Sequence, residues 1–307
     1  MGQIGIGEAI GEGFGLIARR PVTILAWGLA RVIIAGAAFA VTAPLYMAVF
    51  GQIASQAASG VSTPPNLAGL QAVQGANFLL SLVGLFVGSV LYCAVYRSVL
   101  FPDRSAWAFL RLGTAELFYF LFFVGGVIAM IIGMVVLFIP LLIVVGISAA
   151  THAPAIGALF MVFGFLGILF LVIWALCRLS MVGPMMVEDS QFHLADAWAL
   201  TRGHFWPLFV IALLLIVILI VIEVVLGVIA LAVGFGWLAQ QAGGATNIRG
   251  FFLRPPGEIM SALAPALMIG AVFSIPVSGC LMAILVAPWA RAYRDLRPPT
   301  DVAATFA

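Results

Sequence analysis

The sequence predicts an all-α, polytopic membrane protein with about six transmembrane helices. Hydrophobic residues make up 64% of the 307 residues and the mean hydropathy is +1.25, whereas soluble globular domains are roughly 45–50% apolar. The apolar residues stand in long unbroken runs, such as VIALLLIVILIVIEVVLGVIALAVGF, and not in the alternating pattern of a membrane β-barrel. Because a helix needs about 20 apolar residues to cross a bilayer, several crossings fit in this chain.

The N-terminal segment, MGQIGIGEAIGEGFGLIARRP, is predicted to form a short amphipathic helix on the membrane face. Its acidic residues come early and the Arg19–Arg20 pair comes late, which is the order that a helix dipole favours. No basic stretch precedes an apolar core, so we do not expect a signal peptide here.

Six apolar runs predict the transmembrane helices of a single domain, residues 1–298, followed by a short cytoplasmic tail at 299–307. The third and fifth runs are longer than a hydrocarbon core of about 30 Å requires, so tilted or kinked helices are expected. Pro140, Pro265 and Pro276 are the expected kink positions. The predicted spans are 21–50, 77–100, 116–147, 155–182, 207–238 and 259–290.

The distribution of arginine predicts the orientation of the chain. The first and third connections contain no arginine, and the fifth contains Arg249 and Arg254. By the positive-inside rule, both termini and the even-numbered connections are therefore cytoplasmic. The arginines that flank these regions are Arg19, Arg20, Arg97, Arg104, Arg111, Arg178, Arg202, Arg291, Arg294 and Arg297.

A threefold pattern runs through the predicted cytoplasmic segments. EAIGEGFGLIARRPVTIL, DRSAWAFLRLGTAELFYFLF and FHLADAWALTRGHFWPLFVIAL each place an amphipathic, arginine-containing stretch before an odd-numbered span. YRSVLFP, CRLSMVGP and YRDLRP each place an arginine shortly before a proline at the end of an even-numbered span. The pattern predicts three units of one surface helix and a two-span hairpin, with chance similarity as the alternative. Small residues, including the G-x-x-x-G motif Gly84–Gly88, favour packing within the bundle over dimerisation.

Motifs for catalysis and for cofactors are absent from the sequence. There is no G-x-S-x-G elbow and no Walker loop, and GIGEAIG has the wrong glycine spacing for a dinucleotide site. Neither H-E-x-x-H nor a paired C-x-x-C is present, and Cys93, Cys177 and Cys280 lie in or beside apolar runs, so they are expected to be packing residues. We therefore expect no catalytic residue, metal or cofactor, and the net charge of +2 excludes a strongly basic nucleic-acid binder.

Polar residues concentrate in RLSMVGPMMVEDSQFHLADAWALTRGHFWPLF, between the fourth and fifth spans. We expect its FHLADAWALTRGHFW part, residues 192–206, to lie in the interface, with its charges in water and its apolar side chains, Phe192, Leu194, Trp198 and Leu200, facing lipid or the bundle. His193 and Asp196 are three residues apart and can share a helix face. A solvated surface is favoured over a metal site, which needs three or four converging ligands.

Glu223 is the most informative acid, because it lies sixteen residues past Pro207 inside the fifth span. Arg31, ten residues past Pro21, is the other charge inside a span. At the rise of an α-helix, Glu223 lies about 24 Å and Arg31 about 15 Å from the cytoplasmic end of its own span. A long arginine side chain and helix tilt can close this difference in depth. We expect Glu223 and Arg31 to pair or each to reach a polar cavity, and the alternative is a structural ion pair or a Glu223 near the outer interface.

The segment PMMVED followed by LADAWALTRGHFW resembles the membrane-domain family named after glycerophosphoryl diester phosphodiesterases, with the related YciC-like inner-membrane proteins. That family has a proline, an acidic residue and then an Ala-x-x-Leu-x-(Arg/Lys)-Gly-x-(Phe/Trp) run leading into a span, and the N-terminal helix is similar too. The resemblance implies a six-helix bacterial inner-membrane protein. It does not imply phosphodiesterase activity, because we find no phosphodiesterase domain in this sequence. The matching residues are Pro184, Glu188, Ala197, Leu200, Arg202, Gly203 and Phe205.

These observations predict a non-enzymatic inner-membrane protein that binds or organises lipids, or another membrane protein, through its cytoplasmic surface helices. The alternative is a transporter or lipid translocator with a polar site near Glu223 and Arg31. An intramembrane lipid-modifying enzyme would need a cluster of acids or histidines, and the sequence has only scattered ones. The interfacial candidates are Pro184, Glu188, His193, Asp196, Arg202, Gly203 and His204.

Overall fold

The structure, a computed structural model, describes residues 4–59, 67–103, 107–244, 250–251 and 254–297. These residues are helical almost throughout and contain no β-strand. Six of their helices are long and apolar enough to cross a membrane. The prediction of an all-α, polytopic membrane protein with six spans is confirmed, while the predicted tail 299–307 and the residues Arg104 and Arg249 lie outside the described residues.

The helices agree closely with the six predicted spans. Each span falls within one long helix, except that the fourth continues past Leu179 into the start of the next helix. Helix runs through Pro140, Pro265 and Pro276, so these residues do not end the elements that contain them. In chain order the helices are α1 (Ile6–Arg19), α2 (Pro21–Ser59), α3 (Leu67–Leu100), α4 (Thr114–Ala150), α5 (Pro154–Leu179), α6 (Val182–Asp189), α7 (Leu194–Leu200), α8 (Phe205–Ala242) and α9 (Pro256–Leu296).

The three predicted repeat units differ in their surface helices. Helix α1 precedes α2 and helix α7 precedes α8, as the pattern predicts. Before α4, however, Trp107–Phe109 forms a short turn and residues 110–113 are not helical. Ala108 and Phe109 have φ angles of 50° and 57°, which a right-handed helix does not allow. In its described residues, the second unit therefore has a turn in place of a surface helix.

The chain forms two compact units. Unit 1 comprises residues 1–16, 88–215 and 284–307, and unit 2 comprises residues 17–87 and 216–283. In unit 1, α4 and α5 form a hairpin in which a Cβ added to Gly157 would lie 3.1 Å from the Cβ of Ser148. Small residues thus allow close packing of this hairpin.

In unit 2, α2 and α9 approach each other at two glycines. A Cβ on Gly28 would lie 2.8 Å from the carbonyl carbon of Ile275, and a Cβ on Gly279 would lie 3.0 Å from that of Ile24. By contrast, a Cβ on Gly84 or Gly88 would have nothing within 4 Å. The expectation that the Gly84–Gly88 motif packs within the bundle was wrong, because the close backbone contact is made by other glycines.

Candidate functional site

Unit 1 contains a polar site built from helix ends. Arg97, near the end of α3, forms an ion pair with the buried Glu116 in the first turn of α4. The same guanidinium lies 3.5 Å from the carbonyl oxygen of Phe109 and donates to it. The Oε2 atom of Glu116 accepts a hydrogen bond of 2.9 Å from the backbone N–H of Gly113. Arg97 and Glu116 together hold the α3–α4 connection, residues 107–113, in place.

Glu188 at the end of α6 is held by two side chains of α9. Its Oε2 atom accepts a hydrogen bond of 2.6 Å from the hydroxyl of Tyr293, and its Oε1 atom lies 2.5 Å from the guanidinium of Arg297. The side chain of Glu188 is only 21% exposed. Both carboxylate oxygens of Glu188 therefore have protein partners.

Two tyrosines pack beneath α6. The hydroxyls of Tyr96 and Tyr119 lie 3.2 Å apart, and the rings meet edge to face with centroids 5.9 Å apart. A Cβ on Gly183 would lie 2.6 Å from the ring of Tyr96 and 2.8 Å from that of Tyr119. The buried Pro184 follows in the same turn. Glycine at 183 thus allows α6 to lie against the aromatic pair.

A cavity of about 300 Å³ opens beside these contacts, within unit 1. Its polar lining includes Arg97, Arg111, Thr114, Glu116, Glu188 and Ser190. Arg111 is exposed, and its guanidinium has no salt bridge or side-chain hydrogen bond among the described residues. The cavity can therefore offer a free cation to a ligand.

His193 lies between two carboxylates in the turn from α6 to α7. Its Nδ1 atom is 2.7 Å from Oδ2 of Asp196, and its Nε2 atom is 2.5 Å from Oδ2 of Asp189. The hydrogen bond to Asp196 raises the pKa of His193 above its usual value of 6.5, with a further contribution from Asp189 that partial burial opposes. The predicted sharing of a face by His193 and Asp196 is confirmed, and Asp189 joins them.

Arg178 connects the end of α5 to α7. Its guanidinium lies 5.6 Å from the ring centroid of Trp174 and 5.5 Å from that of Trp198, and the two rings meet edge to face. The hydroxyl of Thr201 donates to the carbonyl oxygen of Arg178 at 3.1 Å. These cation–π contacts and this hydrogen bond fix α7 against α5.

The remaining interfacial candidates form the entry to α8. Arg202 is exposed, Gly203 has a φ of 87°, and His204 is half-buried with an Nδ1 atom that has no hydrogen-bond partner among the described residues. A φ in this region favours glycine, so Gly203 shapes the turn. The residues of the resembled motif thus serve different contacts and do not converge on one site.

The two charges inside the predicted spans lie in unit 2. Arg31 on α2 and Glu223 on α8 both have exposed side chains. Neither forms a salt bridge within the part of the chain that the structure describes. The expected ion pair between Arg31 and Glu223 is therefore not formed in the described residues.

Several residues of the polar site were not predicted as functional. Arg97, Arg111 and Arg297 served only to predict the orientation of the chain, and no role was predicted for Tyr293. A usable signal was present, because Glu116 and Glu188 lie near predicted span ends where arginines that could pair with them also stand. Which arginine pairs with which glutamate depends on tertiary contacts.

Comparison of the chain with protein-family models, curated proteins and solved structures finds no match in any of the three. Across the described residues, no group of three or more His, Cys, Asp or Glu side chains is arranged to hold a metal ion. The geometry of unit 1 is therefore the basis for the functional proposal.

Proposed function

We propose that this chain is a non-enzymatic, multi-pass protein of the bacterial inner membrane that binds membrane lipids at the cytoplasmic interface through the surface of unit 1. The six apolar helices support a membrane location, and the arginine distribution supports a cytoplasmic position for the termini and for the α3–α4 connection. The resemblance to the YciC-like family is in keeping with this location and stays a prediction.

The α3–α4 connection is the observation that carries the proposal. Trp107 and Leu112 are 80% and 78% exposed, although both are large and apolar. Arg111 lies next to Leu112 and is free. Apolar side chains that enter the acyl boundary beside a cation that meets headgroup phosphates are typical of an interfacial lipid-binding segment. Tryptophan also favours the headgroup level of a bilayer.

Lipid retention in native lipid discs tests this proposal. The double variant Trp107→Ala/Leu112→Ala is compared with Leu231→Ala/Phe273→Ala, which removes exposed apolar side chains from α8 and α9 in unit 2. Leu231 is a close match for Leu112, since it is 74% exposed. Mass spectrometry should show that lipid co-purifying with the wild type is lost from the first variant and kept by the second. Equal retention by both variants, or a stoichiometric protein in place of lipid, would contradict the proposal.

Transport near Glu223 and Arg31 is the second candidate function. A carboxylate inside an apolar span without a salt bridge needs water or another polar partner, and the exposed side chain of Glu223 leaves room for one. The variant Glu223→Gln keeps the shape of the side chain and removes its charge. Loss of substrate flux in proteoliposomes with unchanged thermal stability would support transport, whereas loss of stability alone would indicate a structural role.

A further inference from the structure

We infer that the cavity beside the α3–α4 connection is a binding site for the phosphate group of an anionic lipid headgroup, with Arg111 as its principal ligand. This inference rests on the proposed lipid-binding function and specifies the ligand class of the same surface. It depends on three features of the cavity: its unused charge, its size and the residues next to its opening.

The carboxylates of the cavity are already neutralised. Glu116 is paired with Arg97 and accepts from the backbone of Gly113, while Glu188 is paired with Arg297 and accepts from Tyr293. An ammonium group of a ligand would have to compete with these contacts. The acids of the cavity therefore do not favour a cationic or zwitterionic headgroup.

One guanidinium group of the cavity has no carboxylate partner among the described residues. The lining contains the guanidinium groups of Arg97 and Arg111 and the carboxylates of Glu116 and Glu188. Arg97 pairs with Glu116, and Arg297, which is not part of the lining, pairs with Glu188. One positive charge remains, and it belongs to Arg111 because the other two arginines are paired. A guanidinium presents a planar set of N–H donors that matches two phosphate oxygens. The hydroxyls of Thr114 and Ser190 in the same lining can donate to further oxygens.

The size of the cavity favours a headgroup over an acyl chain. Its volume of about 300 Å³ is at the lower end of ligand pockets. Leu112 lines the cavity and is largely exposed, and Trp107 is exposed in the same connection. A lipid whose phosphate enters the cavity can therefore keep its acyl chains beside these apolar residues, an arrangement that a soluble phosphate does not use.

Binding of defined lipids to the purified full-length protein tests the site. Phosphatidylglycerol, phosphatidylethanolamine and phosphatidylcholine are titrated into detergent-solubilised protein, and bound lipid is measured by native mass spectrometry. The variants are Arg111→Gln, Arg111→Lys and the control Arg294→Gln, which removes an exposed arginine of α9 that does not line the cavity.

The wild type is expected to bind phosphatidylglycerol in preference to the two zwitterionic lipids. Arg111→Gln should weaken this binding by about tenfold, the size of one charge-assisted contact, and Arg111→Lys should weaken it less. Arg294→Gln should change it by less than about twofold, as expected for removing one exposed charge. Equal effects of Arg111→Gln and Arg294→Gln, or equal binding of all three lipids by the wild type, would overturn the inference.

Inorganic phosphate separates the two possible sources of the ligand. Phosphate that competes with phosphatidylglycerol supports a shared phosphate site, while Arg111-dependent phosphate binding without any lipid binding would overturn the assignment to lipid. Failure of the broader proposal is distinguishable, because then the Trp107→Ala/Leu112→Ala variant would keep its lipids. If that variant loses lipid while Arg111→Gln keeps its headgroup preference, the lipid-binding surface stands and the phosphate site does not.

Discussion

The hydroxyl of Tyr293 on α9 donates a hydrogen bond of 2.6 Å to Glu188 on α6. Arg297, one helical turn farther along the chain, pairs with the other oxygen of the same carboxylate. The end of α6 is thereby tied to the end of α9, although more than a hundred residues separate them in the sequence.

Removing the charge of Glu188 should destabilise the protein. Glu188→Gln loses the ion pair with Arg297, and because Arg297 is partly exposed we expect a cost of about 1–2 kcal/mol. Tyr293→Phe keeps that pair and should cost less. Thermal unfolding in detergent measures both, with Glu258→Gln as a control, since Glu258 is exposed and has no salt bridge among the described residues. An equal effect of the control would contradict the tie between α6 and α9.

Gly183→Ala should also lower stability. The added methyl group would overlap the rings of Tyr96 and Tyr119, and overpacking of this kind costs about 1–3 kcal/mol. Gly227→Ala on α8 is the matched control, because its methyl group would meet nothing within 4 Å and alanine is favoured over glycine in a helix. Unchanged thermal unfolding of Gly183→Ala would show that α6 is not held against the tyrosines.

Gly279→Ala should separate α2 from α9 in unit 2. Its methyl group would meet the backbone of Ile24, and since a backbone cannot move aside as a side chain can, we expect a larger loss of stability than for Gly183→Ala. Gly270→Ala, on the same helix and with open space around its Cβ, is the control. Proteolysis and thermal unfolding of the two variants should differ, and similar behaviour would argue against the close contact.

The turn from α6 to α7 should depend on pH through His193. Both of its ring nitrogens contact carboxylates that only accept hydrogen bonds, so both contacts require the imidazolium form. Because the pKa of His193 is raised in the folded protein, this stabilisation is fully present below the ordinary pKa of about 6.5 and is lost as the pH rises through the raised value.

Thermal unfolding between about pH 5.5 and pH 8.5 brackets the ordinary histidine pKa and measures this effect as the difference between wild type and His193→Gln. The difference should be largest at the acidic end. His152→Asn is the control, because His152 is exposed and has a φ of 58° that asparagine tolerates. A pH-independent difference in stability between wild type and His193→Gln would contradict an imidazolium that donates hydrogen bonds to both Asp189 and Asp196.

The sequence by itself determined the class of the protein, the number of spans and the positions of most helix ends. Apolar composition is a local property, and a run of about 20 apolar residues must satisfy its backbone polar groups internally in a bilayer, which makes it a helix. The amphipathic order of residues in α1 and α7 was readable for the same reason.

Only the tertiary structure decided which polar residues meet. The partner of Glu116 is Arg97, and the partners of Glu188 are Tyr293 and Arg297, because these contacts depend on how each helix is rotated and on which helix ends come together. The same holds for glycine, since Gly28 and Gly279 make the close contact while Gly84 and Gly88 face open space. The periodicity of residues along one helix carries no information about the neighbouring helix. The unpaired charge of Arg111 was therefore recognisable only from the structure, in which Glu116 and Glu188 pair with other arginines.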